Sequence, residues 1–287
     1  MTVDSNRSVT GLPRRSRPLV MGVVNVTPDS FSDGGLFFDA PLAIEHGLRL
    51  REQGADILDV GGESTRPGAE RPPVEEELRR VIPVVRALSG AGATVSVDTM
   101  RAEVAAQAVA AGAQLINDVS GGLADAALMP LAAESEIPYV CMHWRGHSTV
   151  MEQRATYGDV VKDVIDELTP RVEAALAAGI TRDRLIIDPG LGFAKRAEHN
   201  WDLLQRLAEL KVFECPILVA ASRKRFLGSL LADPTSGEPR PVTERDVASA
   251  TVSVFAWLAG AWCVRVHDVL STMDALAVAI RMGCAES

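Results

Sequence analysis

Residues 20–35 read VMGVVNVTPDSFSDGG and join an apolar, valine-rich run to an acidic, hydroxyl-rich segment that ends in two glycines. The apolar half predicts a strand buried on both faces, because its β-branched residues have a single polar interruption, Asn25. Pro28 ends this strand, since proline has no N–H to donate to a sheet. The polar half is either a solvated turn or the beginning of an active site, and the rest of the chain favours the second interpretation.

The same pattern of an apolar run ending in polar residues recurs seven times. These runs cover residues 57–60, 94–97, 115–116, 139–142, 185–187, 217–221 and 263–266. Stretches with apolar residues at helical spacing separate the runs. Eight alternations of buried strand and amphipathic helix predict an α/β fold with a parallel sheet, and eight is the number that closes a (β/α)₈ TIM barrel. The alternative, an open doubly wound sheet, requires a G-x-G-x-x-G turn after the first strand, which is absent.

The chain is predicted to form one barrel domain over residues 18–287, preceded by a short tail over residues 1–17. The tail is polar, carries several arginines and has no apolar core segment. It is therefore predicted to be disordered rather than to act as a signal peptide.

The net charge, the length of the apolar runs and the cysteines indicate which binding partners and which cellular compartment suit the protein. The net charge of −9 argues against nucleic acid or an anionic membrane as the main partner. No apolar run reaches the ~18 residues that a membrane-spanning helix needs. The four cysteines lie far apart and form no C-x-x-C pair, which predicts buried free thiols in a reducing cytoplasm rather than disulfides or a zinc site.

In a TIM barrel the carboxyl ends of the strands meet at one mouth, where active sites lie. The polar residues expected there are Asn25, Thr65, Arg66, Asp98, Asn117, His143, Asp188, Ser222, Lys224, Arg265 and His267. Buried carboxylates and amides need N–H donors, which a flat nitrogen heterocycle offers. The cations and donors suit phosphate or pyrophosphate. The alternative for each single residue is a helix cap, but so many polar strand ends favour a nitrogenous ring that carries a phosphorylated leaving group.

Seven motifs, spread along the chain after the tail, extend this interpretation. They read MGVVNVTPDSFSDGG, ILDVGGESTRPGA, VSVDTMR, LINDVSGG, IIDPGLGFAK, ASRKRFLG and VRVHDV, in that order. On these motifs the chain resembles the dihydropteroate synthase family of folate biosynthesis. The resemblance implies a pterin-binding TIM barrel, often a cytoplasmic homodimer, that uses Mg²⁺. It also implies a transferase that joins p-aminobenzoate to 6-hydroxymethyl-7,8-dihydropterin pyrophosphate.

The resemblance also implies roles for individual residues. The implied catalytic residues are Lys224, Arg265, His267, Asp33 and Arg66. The pterin ring would be held by Asp98, Asn117 and Asp188 with Lys224 over it, the pyrophosphate by Arg265 and His267, the substrate diphosphate by Thr65 and the Mg²⁺ by Asn25. Further substrate contacts are implied for Phe31, Ser32, Pro67, Phe193, Met142 and Ser222. The complete loop motifs also imply sensitivity to sulfonamides.

The family reaction resembles a dissociative displacement, in which pyrophosphate leaves before the neutral aniline nitrogen attacks.

Two other functions would use the same carboxylates and amides to bind a pterin ring. A methyltetrahydrofolate corrinoid methyltransferase needs no pyrophosphate, so the basic residues speak against it. A non-catalytic pterin-binding paralogue is disfavoured by the complete loop motifs. An aldolase barrel is more remote, since Lys224 lies just past a strand end.

Overall fold

The computed structural model describes residues 8–27, 40–64, 71–147 and 151–284. Within these residues the strands, labelled in chain order, are β1 Leu19–Asn25, β2 Ile57–Gly61, β3 Val95–Asp98, β4 Leu115–Asp118, β5 Tyr139–Met142, β6 Leu185–Asp188, β7 Leu218–Val219 and β8 Cys263–Val266. The α-helices are α1 Ala40–Glu52, α2 Val74–Gly90, α3 Ala102–Ala110, α4 Leu128–Glu134, α5 Val160–Ala177, α6 Ala197–Gln205, α7 Arg225–Leu230, α8 Asp246–Leu258 and α9 Val269–Arg281. None of these described helices combines the length and the apolar character needed to cross a lipid bilayer.

All strand pairs are parallel, and the order across the sheet is β6-β5-β4-β3-β2-β1-β8-β7. A parallel bridge between Ile187 and Ile217 brings the two edges of this sheet together. The predicted (β/α)₈ TIM barrel is therefore confirmed. Asn25 aligns with Gly61, Gly61 with Asp98, and Asp98 with Asn117, so the carboxyl ends of β1 to β4 lie at a common height.

Two apolar cores follow from the alternation of side chains along each strand. One face of the strands packs against the helices, for example through Val24, Val60 and Val97, all fully buried. The other face fills the inside of the barrel with one compact cluster. Its strand residues are Leu19, Met21, Ile57, Leu115, Val140, Ile186, Leu218 and Cys263. The barrel interior is thus a packed apolar layer rather than a channel.

Part of the predicted disordered tail is ordered in the structure. Val9 and Leu12 belong to the cluster inside the barrel, with 1% and 8% of their surface exposed. Thr10 donates hydrogen bonds to Asp183, and Arg15 and Arg17 form ion pairs with Asp56 near the start of β2. The prediction of disorder is therefore wrong for residues 8–17, because two apolar residues find space at the amino-terminal end of the barrel. Residues 1–7 lie outside the described residues.

This packing predicts that the segment before β1 contributes to stability. Val9→Asp would place a carboxylate in the apolar cluster without a partner, and we expect it to lower the free energy of unfolding by about 3 kcal/mol. Ser16→Asp, at an exposed position of the same segment, is the matched control and should change it little. Urea denaturation measures both. Equal stability of Val9→Asp and wild type would contradict the packing of this segment.

Candidate active site

A polar layer lies directly above the apolar layer inside the barrel. Side chains alternate along a strand, so the residue two positions after an inward-facing residue also faces inward. This relation pairs Ile57 with Asp59, Leu115 with Asn117, Val140 with Met142, Ile186 with Asp188 and Cys263 with Arg265. The sequence therefore changes from apolar to polar at the same level of several strands, which builds the floor of the mouth.

Arg265 of β8 is the centre of this floor. Its Nε donates to Oδ2 of Asp59 at 2.6 Å, and its Nη2 donates to Oδ2 of Asp98 at 2.8 Å. Nδ2 of Asn117 donates to the same Asp59 oxygen at 3.0 Å. Asp59 is completely buried, whereas 12% of the Asp98 side chain and 18% of the Arg265 side chain are exposed. The three predicted residues Asp98, Asn117 and Arg265 are thus brought together by a fourth, Asp59.

One guanidinium group cannot neutralise two buried carboxylates. Burial raises the pKa of Asp98 from 3.8 to about 7; the Arg265 charge opposes this shift and the Asp59 charge adds to it. Oδ1 of Asp59 is also buried and receives no hydrogen bond from the described residues. The floor therefore holds excess acceptor capacity, which a ligand with N–H donors can satisfy.

Asp188 and the turn after β6 form a second part of the floor. Oδ1 of Asp188 accepts the backbone N–H of Gly190 at 2.7 Å, and burial raises the pKa of this carboxyl. Gly190 and Gly192 have φ values of +68° and +76°, which favour glycine. A Cβ at Gly190 would stand 2.3 Å from the carbonyl oxygen of His143, so this close approach also requires glycine.

Lys224 closes the mouth from the β7 side. Its Nζ donates to the carbonyl of Leu191 and lies 4.8 Å from the centre of the Phe193 ring. Burial lowers the pKa of this amine to about 8, and the charge of Asp188 opposes the shift. The side chain is partly buried, so a cation is held beside an aromatic ring at the edge of the carboxylate floor.

The backbone before Lys224 is fixed by two arginines. Arg223 adopts a left-handed conformation with φ of +60° and forms a two-pronged ion pair with Asp246 of α8, with both N–O distances 2.7 Å. Arg245, which is 8% exposed, donates to the carbonyls of Arg223 and Arg240 at 2.9 and 2.7 Å. These contacts stabilise an unfavourable backbone conformation, which sets the direction of Lys224.

The remaining predicted residues complete the rim and one wall. Oγ of Ser222 accepts the backbone N–H of His267 at 3.1 Å and contacts its Nδ1 at the same distance, so the ends of β7 and β8 are joined. Met142 and Phe193 belong to an apolar cluster with Met100, Val119 and Trp144. This cluster is a candidate surface for the face of a flat ring.

Asn25 ends β1 at the level of Gly61 and is partly buried. Within the described residues its side chain makes no hydrogen bond that competes with a ligand. The other predicted residues lie outside the described residues. These are Phe31, Ser32, Asp33, Thr65, Arg66 and Pro67.

The prediction that His143 faces the mouth is wrong. The residue directly before it, Met142, faces inward, so His143 points outward to α5, where its Nε2 lies 3.0 Å from Oε2 of Glu167. Sequence reasoning also missed Asp59, because it considered only the ends of strands. The signal was the apolar strand ILDVG itself, in which one carboxylate interrupts an otherwise buried run.

Asp98 provides a pH-dependent test of this network. Because its pKa is raised in the folded protein, the folded state holds a proton that the unfolded chain releases, and the resulting stabilisation is complete below the ordinary pKa of 3.8 and is lost as pH rises through about 7. Relative to Asp98→Asn, wild type should therefore lose about 2.5 kcal/mol of unfolding free energy between pH 5 and pH 8. Urea denaturation of both proteins measures this, and a difference that does not change with pH would contradict the raised pKa.

Comparison with known proteins agrees with this geometry. The family described as pterin binding enzyme matches residues 21–267. The dihydropteroate synthase of Mycobacterium leprae is 53% identical over 260 residues, which cover 90% of this chain and 91% of that protein. A solved structure of Xanthomonas albilineans dihydropteroate synthase with 4-aminobenzoic acid has a TM-score of 0.85 and 46% identity, and the match covers 93% of each chain.

A Yersinia pestis dihydropteroate synthase, solved as a complex with a sulfonamide drug, matches with a TM-score of 0.88 and 40% identity. That match covers 96% of this chain and 98% of the Yersinia chain. Sequence and fold therefore agree over nearly the full length of these relatives. The chain belongs to the pterin-binding enzyme family and, within it, to the dihydropteroate synthases.

Proposed function

We propose that this enzyme condenses 6-hydroxymethyl-7,8-dihydropterin pyrophosphate with p-aminobenzoate, which yields 7,8-dihydropteroate and pyrophosphate. One observation carries the proposal. The buried carboxylates and amide of the floor lie in the same barrel mouth as three basic residues, Arg265, Lys224 and His267. The 4-aminobenzoic acid bound by the Xanthomonas relative supports the choice of the second substrate.

The floor suits the pterin ring. The amino-pyrimidine edge of a pterin carries adjacent N–H donors, which a carboxylate accepts as a pair. Asp98 and Asp188 offer carboxylate oxygens, and Asn117 retains its amide oxygen because its Nδ2 is directed to Asp59. Met142 and Phe193 supply apolar surface for the ring face. Lys224 adds a cation beside the ring.

The rim suits the leaving group. Among the described residues, Arg265 uses two of its five N–H groups, on Asp59 and Asp98, so the other three can serve phosphate oxygens. His267 and Ser222 lie at the adjacent strand ends and add further hydrogen-bonding groups. Donors held in fixed positions stabilise the negative charge that develops on pyrophosphate as it departs.

In the proposed reaction the C–O bond to pyrophosphate breaks first, and its electron pair leaves with pyrophosphate. The positive charge on the pterin methylene group is stabilised by the electron-rich ring and by the carboxylates of Asp98 and Asp188. The neutral amino nitrogen of p-aminobenzoate then forms the C–N bond and loses a proton to water. Because an uncharged aniline is already nucleophilic, no strong base is needed.

We propose Asn25 as the protein ligand of Mg²⁺. Mg²⁺ is a hard cation that takes oxygen ligands, usually keeps several waters and is shared with substrate phosphates. The amide oxygen of Asn25 at the end of β1 would add one neutral protein oxygen to such a shell. When bound, the ion would supply positive charge to the diphosphate. For the residues outside the described part of the chain, the proposal follows the resemblance. By that resemblance, Thr65 would bind the diphosphate, Asp33 and Arg66 would assist catalysis, and Phe31, Ser32 and Pro67 would bind p-aminobenzoate.

The direct test is pyrophosphate release by the purified protein. We expect release that requires dihydropterin pyrophosphate, p-aminobenzoate and Mg²⁺ together, and that sulfamethoxazole inhibits in competition with p-aminobenzoate. His267→Ala should lower kcat by about 100-fold, since one donor to the developing charge is lost. Pterin binding without release would identify a non-catalytic pterin-binding protein, and normal kcat of His267→Ala would contradict its role at the leaving group.

We also propose that the enzyme is a homodimer joined through α8 and α9, which pack against each other. Apolar residues about two turns apart are exposed on both helices: Val247 and Phe255 on α8, Leu270 and Val278 on α9, with exposures of 50–78%. Trp257 of α8 is only 1% exposed and packs in the apolar core between strands and helices, so it is not part of this surface. An exposed apolar surface of this kind favours association with a second copy.

Phe255→Asp tests this interface. A charge in an apolar contact between subunits is costly, so we expect light scattering to show a dimer for wild type and a monomer for Phe255→Asp. Val212→Asp is the control, because Val212 is 64% exposed but lies outside α8 and α9. A monomeric wild type, or a dimeric Phe255→Asp, would contradict the proposed interface.

We propose a cytoplasmic location. All four cysteines, Cys141, Cys215, Cys263 and Cys284, are free, and the first three are buried. Free thiols are typical of proteins that work in a reducing compartment.

A further inference from the structure

A lysine behind the mouth, Lys195, binds the turn that carries Phe193. Its Nζ lies 3.0 Å from the carbonyl oxygen of Gly190, 3.1 Å from that of Phe193 and 2.9 Å from Nδ1 of His143. His143 belongs to the end of β5, whereas the two carbonyls belong to the turn after β6. Lys195 therefore joins two neighbouring strand ends from the outer side of the barrel.

The hydrogen bonds at this lysine are mutually consistent. In its protonated form the lysine has three N–H donors and no acceptor, and three acceptors surround it. Burial lowers the pKa of this amine to about 7, and the charge of Asp188 opposes the shift. Nδ1 of His143 accepts if the ring is neutral with its proton on Nε2, which then donates to Glu167. Burial lowers the pKa of His143 to about 4, which agrees with a neutral ring. Arg145 holds Glu167 from the other side through a two-pronged ion pair.

The turn that Lys195 binds has an unusual backbone. Gly190, Gly192 and Ala194 all have positive φ values. Ala194, with φ of +47°, lacks the conformational freedom of glycine and is only 2% exposed. Such conformations persist only where surrounding contacts stabilise them. Lys195 contacts the carbonyls at both sides of this turn, so it contributes directly to the turn's shape.

The opposite side of the same turn forms part of the mouth. The carbonyl of Leu191, between the two carbonyls that Lys195 binds, accepts the ammonium group of Lys224. The ring of Phe193 stands beside that ammonium group and belongs to the apolar wall with Met142. The positions of the Phe193 ring and of the Lys224 ammonium group therefore depend on the shape of this turn.

We propose that Lys195 is a positioning residue for pterin recognition: from outside the mouth it holds the turn over residues 190–193 in the shape that places the Phe193 ring against the pterin. This inference rests on the proposed function, because it assumes that the pterin ring occupies the floor. It assigns no contact between Lys195 and substrate. Its consequence is a defect in pterin affinity that acts through Phe193.

The experiment measures calorimetric binding of 6-hydroxymethyl-7,8-dihydropterin, which lacks the pyrophosphate and does not react. Lys195→Met keeps the length of the side chain and removes its donors, and we expect the dissociation constant to rise about tenfold, equivalent to about 1.4 kcal/mol. Lys162→Met, the same change at an exposed position of α5, should bind as wild type does. A wild type that does not bind the ring would overturn the proposed pterin site itself, whereas equal binding by wild type and Lys195→Met would overturn only the role of Lys195.

A double-mutant cycle separates positioning from a general loss of stability. If Lys195 acts through Phe193, the Lys195→Met substitution should weaken binding much less when Phe193 is already alanine. Additive effects of the two substitutions would contradict the inference.

A second pair of variants applies if Lys195→Met does not fold. His143→Asn retains an acceptor near Nδ1 and should bind the pterin normally, whereas His143→Leu removes the acceptor and should weaken binding. The same affinity for these two variants would also contradict the inference.

Discussion

The buried ion pair between Arg265 and Asp59 is the interaction on which the site depends. A guanidinium group inside a barrel is stable only if its charge is balanced, and Asp59 of β2, two strands away from β8, balances that charge and accepts the Nε–H of Arg265. The same carboxylate orients the amide of Asn117. Asp98 and Asp59 share the one positive charge of Arg265, so the pKa of Asp98 stays raised. The floor therefore keeps a carboxyl group that can accept N–H donors at the place where a nitrogen heterocycle would bind.

The apolar layer below this network makes the polar layer possible. Residues two positions earlier on the same strands are fully packed, and Val9 and Leu12 extend that packing at the amino-terminal end. The charged layer therefore faces protein on one side and the mouth on the other. At the rim, strained turns replace regular structure: Arg223 and Ala194 hold left-handed conformations next to Lys224 and Phe193. Tertiary contacts from α8 and from Lys195 stabilise them, which is typical of sites where geometry matters more than local stability.

The strands and the general position of the site could be predicted from the sequence, because apolar runs that end in polar residues are local patterns. The direction in which an individual side chain faces could not be predicted in this way. A shift of one residue turns a side chain from the inside to the outside of a barrel, and this is why Asp188 faces the mouth while His143 faces α5. Asp59 is marked in the sequence as the one carboxylate inside an apolar strand, but its partner Arg265 lies more than 200 positions away, so its role is not a local pattern. The order of residues 8–17 depends on where Val9 and Leu12 find space, which composition does not show.

The most direct test of this account is a crystal structure of the enzyme with a dihydropterin ligand. We expect the N–H edge of the ring within hydrogen-bonding distance of Asp98, Asn117 and Asp188, with Arg265 still bonded to Asp59 and its remaining N–H groups directed to the diphosphate side. A pterin bound elsewhere in the barrel, or an Arg265 that leaves Asp59 when the ligand binds, would contradict the central role given to this ion pair.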